Sequence, residues 1–380
     1  MPGKSPVILM SCSPSTMKTF SSHWVGTVTS ARHTPSIREI AQAASVSPAT
    51  VSRAFNQPEL LNPDTLARIL AVAGQHDFRP SRIGSSLRSG STRTLGLIAP
   101  TLSNPVFAEC FEGAEQQARE AGYSVMLTAT AYDAQRECDA VRNMLDHRVE
   151  GLILTVANAH DSPALDLLTQ TGTPYVLAYN ESPRHPSVSV DNHQAAMDMV
   201  QWLAQRGQRH IAFVSGPLSA SDRARSRLHG AQEQVRRQGL PGIVHLPMEN
   251  HTCCDADTLR TALAGPQPPQ ALFCSNDLLA TSAIGLLQQL GLTVPNDISV
   301  CGFDGMAFAA MLQPALTTVS QPSHDMGRQA CALLLSMLGI THDTAPAPAF
   351  PIRLPYRIVS GGTVADADLP SPPLTGVSCS

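Results

Sequence analysis

The sequence predicts two unlike folds in one chain: a small all-α head, then an α/β body large enough for two doubly wound subdomains. Three observations carry this. Residues 35–78 contain three short apolar repeats at helical spacing, each opened by a capping residue. From Leu95 to about Val364, short apolar runs alternate with amphipathic stretches, the pattern of parallel strands joined by helices. That alternation lasts for about 270 residues, more than one sheet usually needs, so two subdomains with a cleft between them are the economical arrangement.

Composition narrows the function classes. Of 380 residues, 43% are hydrophobic and 15% charged, and no apolar run approaches the roughly 20 residues that span a bilayer. Nine cysteines form an odd set with no C-x-x-C pair, which suits a reducing cytoplasm better than a disulfide framework or a zinc ribbon. The net charge of -4 hides a division: residues 1–94 carry +6 and residues 95–380 carry -10. A basic head on an acidic body points to a polyanion as the head's partner.

Along the chain, residues 1–34 mix Ser, Thr, Pro and His without periodicity and are expected to be a disordered leader, with Met17 a candidate start. The apolar stretch at Val7–Met10 is too short for an export signal. The head is expected over 35–80. Ser36 caps a first helix whose apolar positions are Ile37, Ile40, Ala41 and Ala44. After a tight connection at Ser45 and Val46, Ser47 caps a second helix with Pro48 at its first position, running to about Phe55. Asn62 and Pro63 open a third, with Leu66, Ile69, Leu70 and Ala73 on one face. Residues 81–94 read as a hinge helix and linker, too polar and short to hold a helix alone. The body, 95–363, has apolar runs such as L-G-L-I-A, G-L-I-L-T, H-I-A-F-V-S and D-I-S-V-C-G-F between helices at 105–121, 134–147, 192–206, 222–238, 277–290 and 323–339. A disordered tail is expected over 364–380.

Two helices joined by about three residues, the second beginning S-P-A-T-V-S-R, form the helix-turn-helix arrangement, whose second helix enters the DNA major groove. Pro48 and Ala49 offer apolar surface to thymine methyls, and Arg53 can fork onto guanine O6 and N7. Ser47, Thr50, Ser52 and Asn56 are short hydrogen-bonding residues suited to phosphates.

The string I-R-E-I-A-Q-A-A-S-V-S-P-A-T-V-S-R-A-F-N, followed by D-F-R-P-S-R-I-G-S-S-L-R and L-G-L-I, resembles the head and hinge of the LacI/GalR family of bacterial transcriptional regulators. The likeness covers about residues 36–363. One departure is Ser45, where the family usually has Gly; at positive φ a Ser costs roughly 1 kcal/mol. The resemblance implies that Leu87 is the hinge leucine driven between base steps from the minor groove, with Arg88 lining that groove. The alternative for Leu87 is an ordinary core leucine, but its neighbours Ser85, Ser86 and Ser89 make no apolar stripe. The resemblance further implies a body like the periplasmic sugar-binding proteins, a homodimer on an inverted-repeat operator, and a small effector between the subdomains: a sugar, sugar acid or similar polar metabolite.

By the same resemblance, the effector-site candidates are Arg227, Asn276 and Asp304, with Asn104 and Phe107 at the cleft mouth and Tyr179, Asn180 and Asp191 at strand ends. Asn276 and Asp304 also lie at C-terminal ends of predicted strands, where ligands of open α/β sheets bind. The bland alternatives are a cap or turn for Asn276 and Asp304, a core position for Phe107, and for Arg227 a solvated helix face shared with Arg223 and Arg225. Asp277 is expected to cap the helix it opens. Residues 249–252, where relatives often supply an aromatic lid over a sugar, read Glu-Asn-His-Thr, which points away from an ordinary sugar. His251, Cys253 and Cys254 lack a fourth ligand at workable spacing, so no metal is expected, and no cofactor.

Two other classes compete. A solute-binding protein of a transport system needs an export signal and has no use for a helix-turn-helix head. An α/β enzyme is disfavoured because G-x-x-x-x-G-K-[ST], G-x-S-x-G and a post-strand G-x-G-x-x-G do not occur.

Overall fold

The computed structural model describes residues 35–78, 91–340 and 350–366. The chain divides into two compact units, Met1–Ser89 and Gly90–Ser380. In the first, α1 (Ile37–Ala43), α2 (Pro48–Asn56) and α3 (Pro63–Gln75) enclose Ile40, Val51, Ala54, Ile69 and Phe78. α1 starts in a capping box: the Glu39 amide donates to Ser36 Oγ at 3.3 Å and the Ser36 amide to the Glu39 carboxylate at 2.5 Å. It ends in a Schellman motif, with the Val46 amide donating to Ala41 O and the Ser45 amide to Gln42 O. That motif needs a left-handed residue, and Ser45 occupies it at φ 53°.

The second unit contains two six-stranded sheets. β1 (Thr94–Ala99), β2 (Ser124–Ala129), β3 (Gly151–Leu154), β4 (Tyr175–Ala178) and β5 (Ser187–Ser189) lie in the first. The second holds β6 (Ile211–Ser215), β7 (Val244–Pro247), β8 (Ala271–Cys274), β9 (Ser299–Asp304) and β10 (Thr317–Ser320). β11 (Ile352–Arg353) returns to the edge of the first sheet and β12 (Arg357–Val359) to the edge of the second, giving the orders β11-β5-β4-β3-β1-β2 and β12-β10-β9-β8-β6-β7. All pairings are parallel except β10 with β12. β3, β4, β6, β8 and β9 are buried along their whole length, and the first four read as nearly continuous apolar runs while β9 has an apolar interior between Ser299 and Asp304.

The helices are α4 (Pro105–Glu120), α5 (Ala134–Asp146), α6 (Pro163–Thr171), α7 (Asn192–Gln205), α8 (Asp222–Arg237), α9 (Ala256–Leu263), α10 (Asp277–Gln289) and α11 (Ser323–Met337). α4 packs on α11 and α7 on α8. Glycines set the first contact: a Cβ on Gly113 would fall 1.9 Å from His324 O, and one on Gly327 would fall 1.8 Å from Cys110 O. Gly230 does the same for the second, 2.1 Å from His193 O.

The chain passes between the sheets at three places: after β5 near Asp191, after β10 near Gln321, and between β11 and β12 near Pro355. These passages make the two subdomains expected from the sequence, with the C-terminal ends of β4, β8 and β9 and the N-terminus of α8 around the space between them. Leu87 and Arg88, with residues 81–90 of the expected hinge and linker, lie outside the described residues, and Thr94, expected in the linker, opens β1. Among the described residues no helix is long and apolar enough to cross a membrane.

Candidate functional site

In the head, burial divides α2 cleanly. Val51 and Ala54 face the core, while Ser47, Pro48, Ala49, Arg53 and Asn56 are exposed and Thr50 and Ser52 half-buried. Ser47 is committed to capping: the Thr50 amide donates to its Oγ at 3.1 Å, and the two hydroxyls are 2.8 Å apart. Asn56 folds back onto Ser52, donating to its carbonyl at 2.8 Å. Among the described residues no hydrogen bond ties down Arg53, so Pro48, Ala49 and Arg53 are exposed and uncommitted.

In the body, a cavity of about 30 Å³ lies between the sheets, lined by residues of both subdomains. Its centre is Asp304 at the end of β9, buried and held at φ 117°, a conformation L residues rarely adopt. Asn104 Nδ2 donates to Asp304 Oδ2 at 3.2 Å from the N-cap of α4, and Gln321 Nε2 donates to Oδ1 at 2.8 Å from one of the inter-sheet passages. Arg227 Nη1 stands 3.8 Å from Oδ1. Burial pushes the Asp304 carboxyl up to about 6, opposed chiefly by Arg227.

Arg227 is a buried cation rather than part of a solvated face. Its Nε donates to Asn192 Oδ1 at 2.8 Å, its Nη1 to Ser275 O at 2.5 Å, and its guanidinium lies 3.5 Å from the centre of the Phe303 ring. Burial lowers its pKa to about 10, so it stays charged. Arg223, one turn earlier on the same face of α8, is also buried and donates to Val156 O at 2.7 Å. Asn276 caps α10 by accepting from the Leu279 amide at 2.9 Å, and its Nδ2 donates to His251 O at 2.9 Å. Phe107 and Tyr179 meet edge to face at 5.2 Å, and the Tyr179 hydroxyl donates to Val106 O at 2.6 Å.

The cavity therefore gathers Asn104, Phe107, Tyr179, Arg227, Asn276 and Asp304. Asn180 and Asp191 stand outside it. Asn180 is fully buried, donating to Val156 O and to both Asp222 oxygens at 2.8–2.9 Å, which ties the first subdomain to the start of α8. Asp191 caps α7 through the Gln194 amide at 2.8 Å and pairs with Arg353 at 3.4 Å. Asp277 is not the cap of α10; Asn276 is, and Asp277 is enclosed beneath β9, where Gly302 leaves room for its carboxyl.

Tyr132, Arg223, His251 and Gln321 also line the cavity, beyond the candidates the sequence offers. Arg223 was legible from its i, i+4 spacing to Arg227; Tyr132 had no signal. His251 supplies a ring in the segment where an aromatic lid had seemed absent, stacked on Tyr132 with centroids 4.0 Å apart. Among the described residues no cluster of three or more His, Cys, Asp or Glu can hold a metal ion. A second cavity, about 250 Å³, lies beyond Arg223. Several of its groups are already paired: Glu181 with Asn192 and Arg353, His193 with Glu233, Arg225 with Asn158.

A groove-sized helix pair and a two-sheet body with a polar inter-sheet cavity together define a ligand-responsive DNA-binding regulator. Residues 36–81 match the model of bacterial regulatory proteins of the lacI family, and residues 200–364 match the periplasmic binding protein-like domain. The chain is 33% identical over 326 residues to catabolite control protein A of Priestia megaterium, covering 85% of this chain and 97% of that one. It is 30% identical to the ribose operon repressor of Escherichia coli K12, covering 79% and 92%. The lac repressor dimer bound to operator superposes with a TM-score of 0.76 over 87% of this chain and 99% of that one; at 24% identity this speaks for the fold. The chain belongs to the lacI family. It is a DNA-binding transcriptional regulator, neither an enzyme nor the solute-binding protein of a transporter.

Proposed function

We propose that the protein acts in the cytoplasm as a homodimeric repressor of an inverted-repeat operator, controlled by a small polar metabolite bound around Arg227 and Asp304. Arg53 reads a guanine, Pro48 and Ala49 meet thymine methyls, and Ser47, Thr50, Ser52 and Asn56 fix the helix on phosphates. The observation that carries the effector reading is the buried set of Arg227, Asp304, Asn276 and Asn104, which converges from both subdomains on one cavity. A guanidinium fork, a carboxylate and two amides suit a ligand bearing several hydroxyls, such as a sugar or sugar acid. A relative named for repressing a ribose operon makes sugars the first polar ligands to screen.

The test selects operator sequences from a random duplex pool with the full chain, then screens sugars and sugar acids for release or recruitment. Arg53→Ala is expected to weaken operator binding by about 1–3 kcal/mol and relax one G·C position per half-site. Arg227→Ala is expected to abolish the metabolite response while leaving basal operator affinity within a few fold. A mutant that responds at the wild-type ligand concentration removes Arg227 from the site, and one that no longer binds DNA makes it structural.

A further inference from the structure

The segments that lead into β1, β2 and β3 converge on one carboxylate. Glu150, the residue before β3, is half-buried, and its Oε1 accepts from the Ser91 hydroxyl at 2.6 Å and from the Arg93 amide at 2.7 Å. Its Oε2 accepts from the hydroxyl of Tyr123, the residue before β2, at 2.7 Å. The backbone joins the same three segments: the Glu150 amide donates to Thr94 O at 2.8 Å and the Ser124 amide to Arg93 O at 3.0 Å. The Thr92 hydroxyl adds a bond to Arg148 O at 2.7 Å.

Burial would raise the Glu150 carboxyl, but the donors from Ser91, Tyr123, Arg93 and Thr92 bring it below its ordinary value. It is therefore ionised at neutral pH, and each donor meets a charge rather than a neutral acceptor. Arg93 and Arg148 are both left-handed, at φ 49° and 54°, a conformation that L side chains keep only where the surroundings impose it. Residues 91–93 are thus fastened to the first sheet before the strand begins.

These residues are also where the chain arrives from the DNA-binding head, just past the residues expected to form the hinge. At their far ends β1 and β2 lead to Asn104 and Tyr132, which line the cavity, so six-residue strands put about 20 Å between the cavity and this point of arrival. We propose that Glu150 is a positioning residue for operator binding: it fixes residues 91–93 to the first sheet, so that the chain to each head starts from a set place and direction. Freeing them would add flexible residues to both links, which lowers the effective concentration of the second head once the first is on its half-site. The inference rests on the operator reading for the homodimer and its inverted repeat, and needs nothing from the effector reading.

The test uses the full chain and a duplex it selects from a random pool. Glu150→Ala should bind that duplex about five-fold or more weakly, with faster amide exchange across 91–94 while β4 and β8 stay protected. The slope of log affinity against log salt should not change, because the head keeps its phosphate contacts. Glu150→Gln retains an oxygen for the Ser91 and Arg93 donors and should bind within about two-fold of wild type. Ser91→Ala should lose part of the affinity alone and nothing further in the Glu150→Ala background, where its bond is already gone. Wild-type affinity in Glu150→Ala, or losses from the two alanine variants that simply add, would overturn the anchor. Should Glu150→Ala loosen β4 or β8 as well, Ser91→Ala decides: weaker binding with a protected body sustains the anchor, and unchanged binding overturns it. A wild-type chain that selects no duplex refutes the operator reading instead; raised exchange across 91–94 in Glu150→Ala then sustains the anchor, and equal exchange overturns it.

Discussion

At the scale of single residues, Asp277 holds the frame of the site without touching its cavity. Its Oδ2 accepts from the Gly305 and Met306 amides at 2.9 Å each, and its Oδ1 from the Thr318 hydroxyl at 2.6 Å. These bonds hold the turn after β9 from which Asp304 projects. Burial, and the like charge of Asp304, push the Asp277 carboxyl up to about 8. A carboxyl raised in the fold favours its neutral form there, so its contribution to stability is complete below the unfolded pKa near 4 and is lost as pH rises through about 8. Thermal unfolding followed from pH 5 to 8.5 should therefore show the melting temperature falling with pH. Asp277→Asn should flatten the upper part of that slope, leaving a residue from Asp304 and from Glu137, whose carboxyl burial raises to about 7. An identical slope in the variant would show that Asp277 is ionised throughout. Asp277 had read as a helix cap because a carboxylate opening a helix usually is one; only β9 passing over it, with Gly302 making room, gives it a different task.

Among the elements, local rules were legible and tertiary ones were not. The caps Ser36, Ser47 and Asn62 and the strands β1, β3, β4, β6, β8 and β9 follow from side-chain chemistry and unbroken apolar runs that any buried parallel strand shows. Short pieces such as β5, β10, β11 and β12 were silent: S-V-S and T-T-V-S are too brief and polar to stand out, and they are strands because neighbours complete them. Ser45 is the local rule broken. Ser45→Gly should stabilise the head by about 0.5–1 kcal/mol, seen as slower amide exchange in α1 and α2, because the left-handed turn then carries no Cβ. Gly327 is the tertiary rule the sequence hid, a helical glycine indistinguishable from Gly285 until α4 is laid against α11. Gly327→Ala should cost about 1–3 kcal/mol by forcing the two helices apart, whereas Gly285→Ala, with nothing within 4 Å of its Cβ, should gain a few tenths from helix propensity. Equal melting temperatures for the two variants would refute that packing.

For the molecule as a whole, the division of charge and the sheet connections matter most. A head carrying +6 on a body carrying -10 makes DNA affinity depend on counterion release while the body is repelled from the same phosphates. Operator binding measured between 50 and 200 mM salt should fall by orders of magnitude, log-linearly, with neutral-ligand binding nearly unchanged; a flat salt response would show that the basic head does not meet the backbone.

The glycine-set helix pairs and the three passages between the sheets have a mechanical meaning. Three chain crossings between the sheets restrain sliding and twisting of one against the other more than they restrain a hinge-like swing. Whatever chemistry a ligand brings is thereby reduced to one angle. Ligands unlike in every functional group become equivalent whenever they set the same opening.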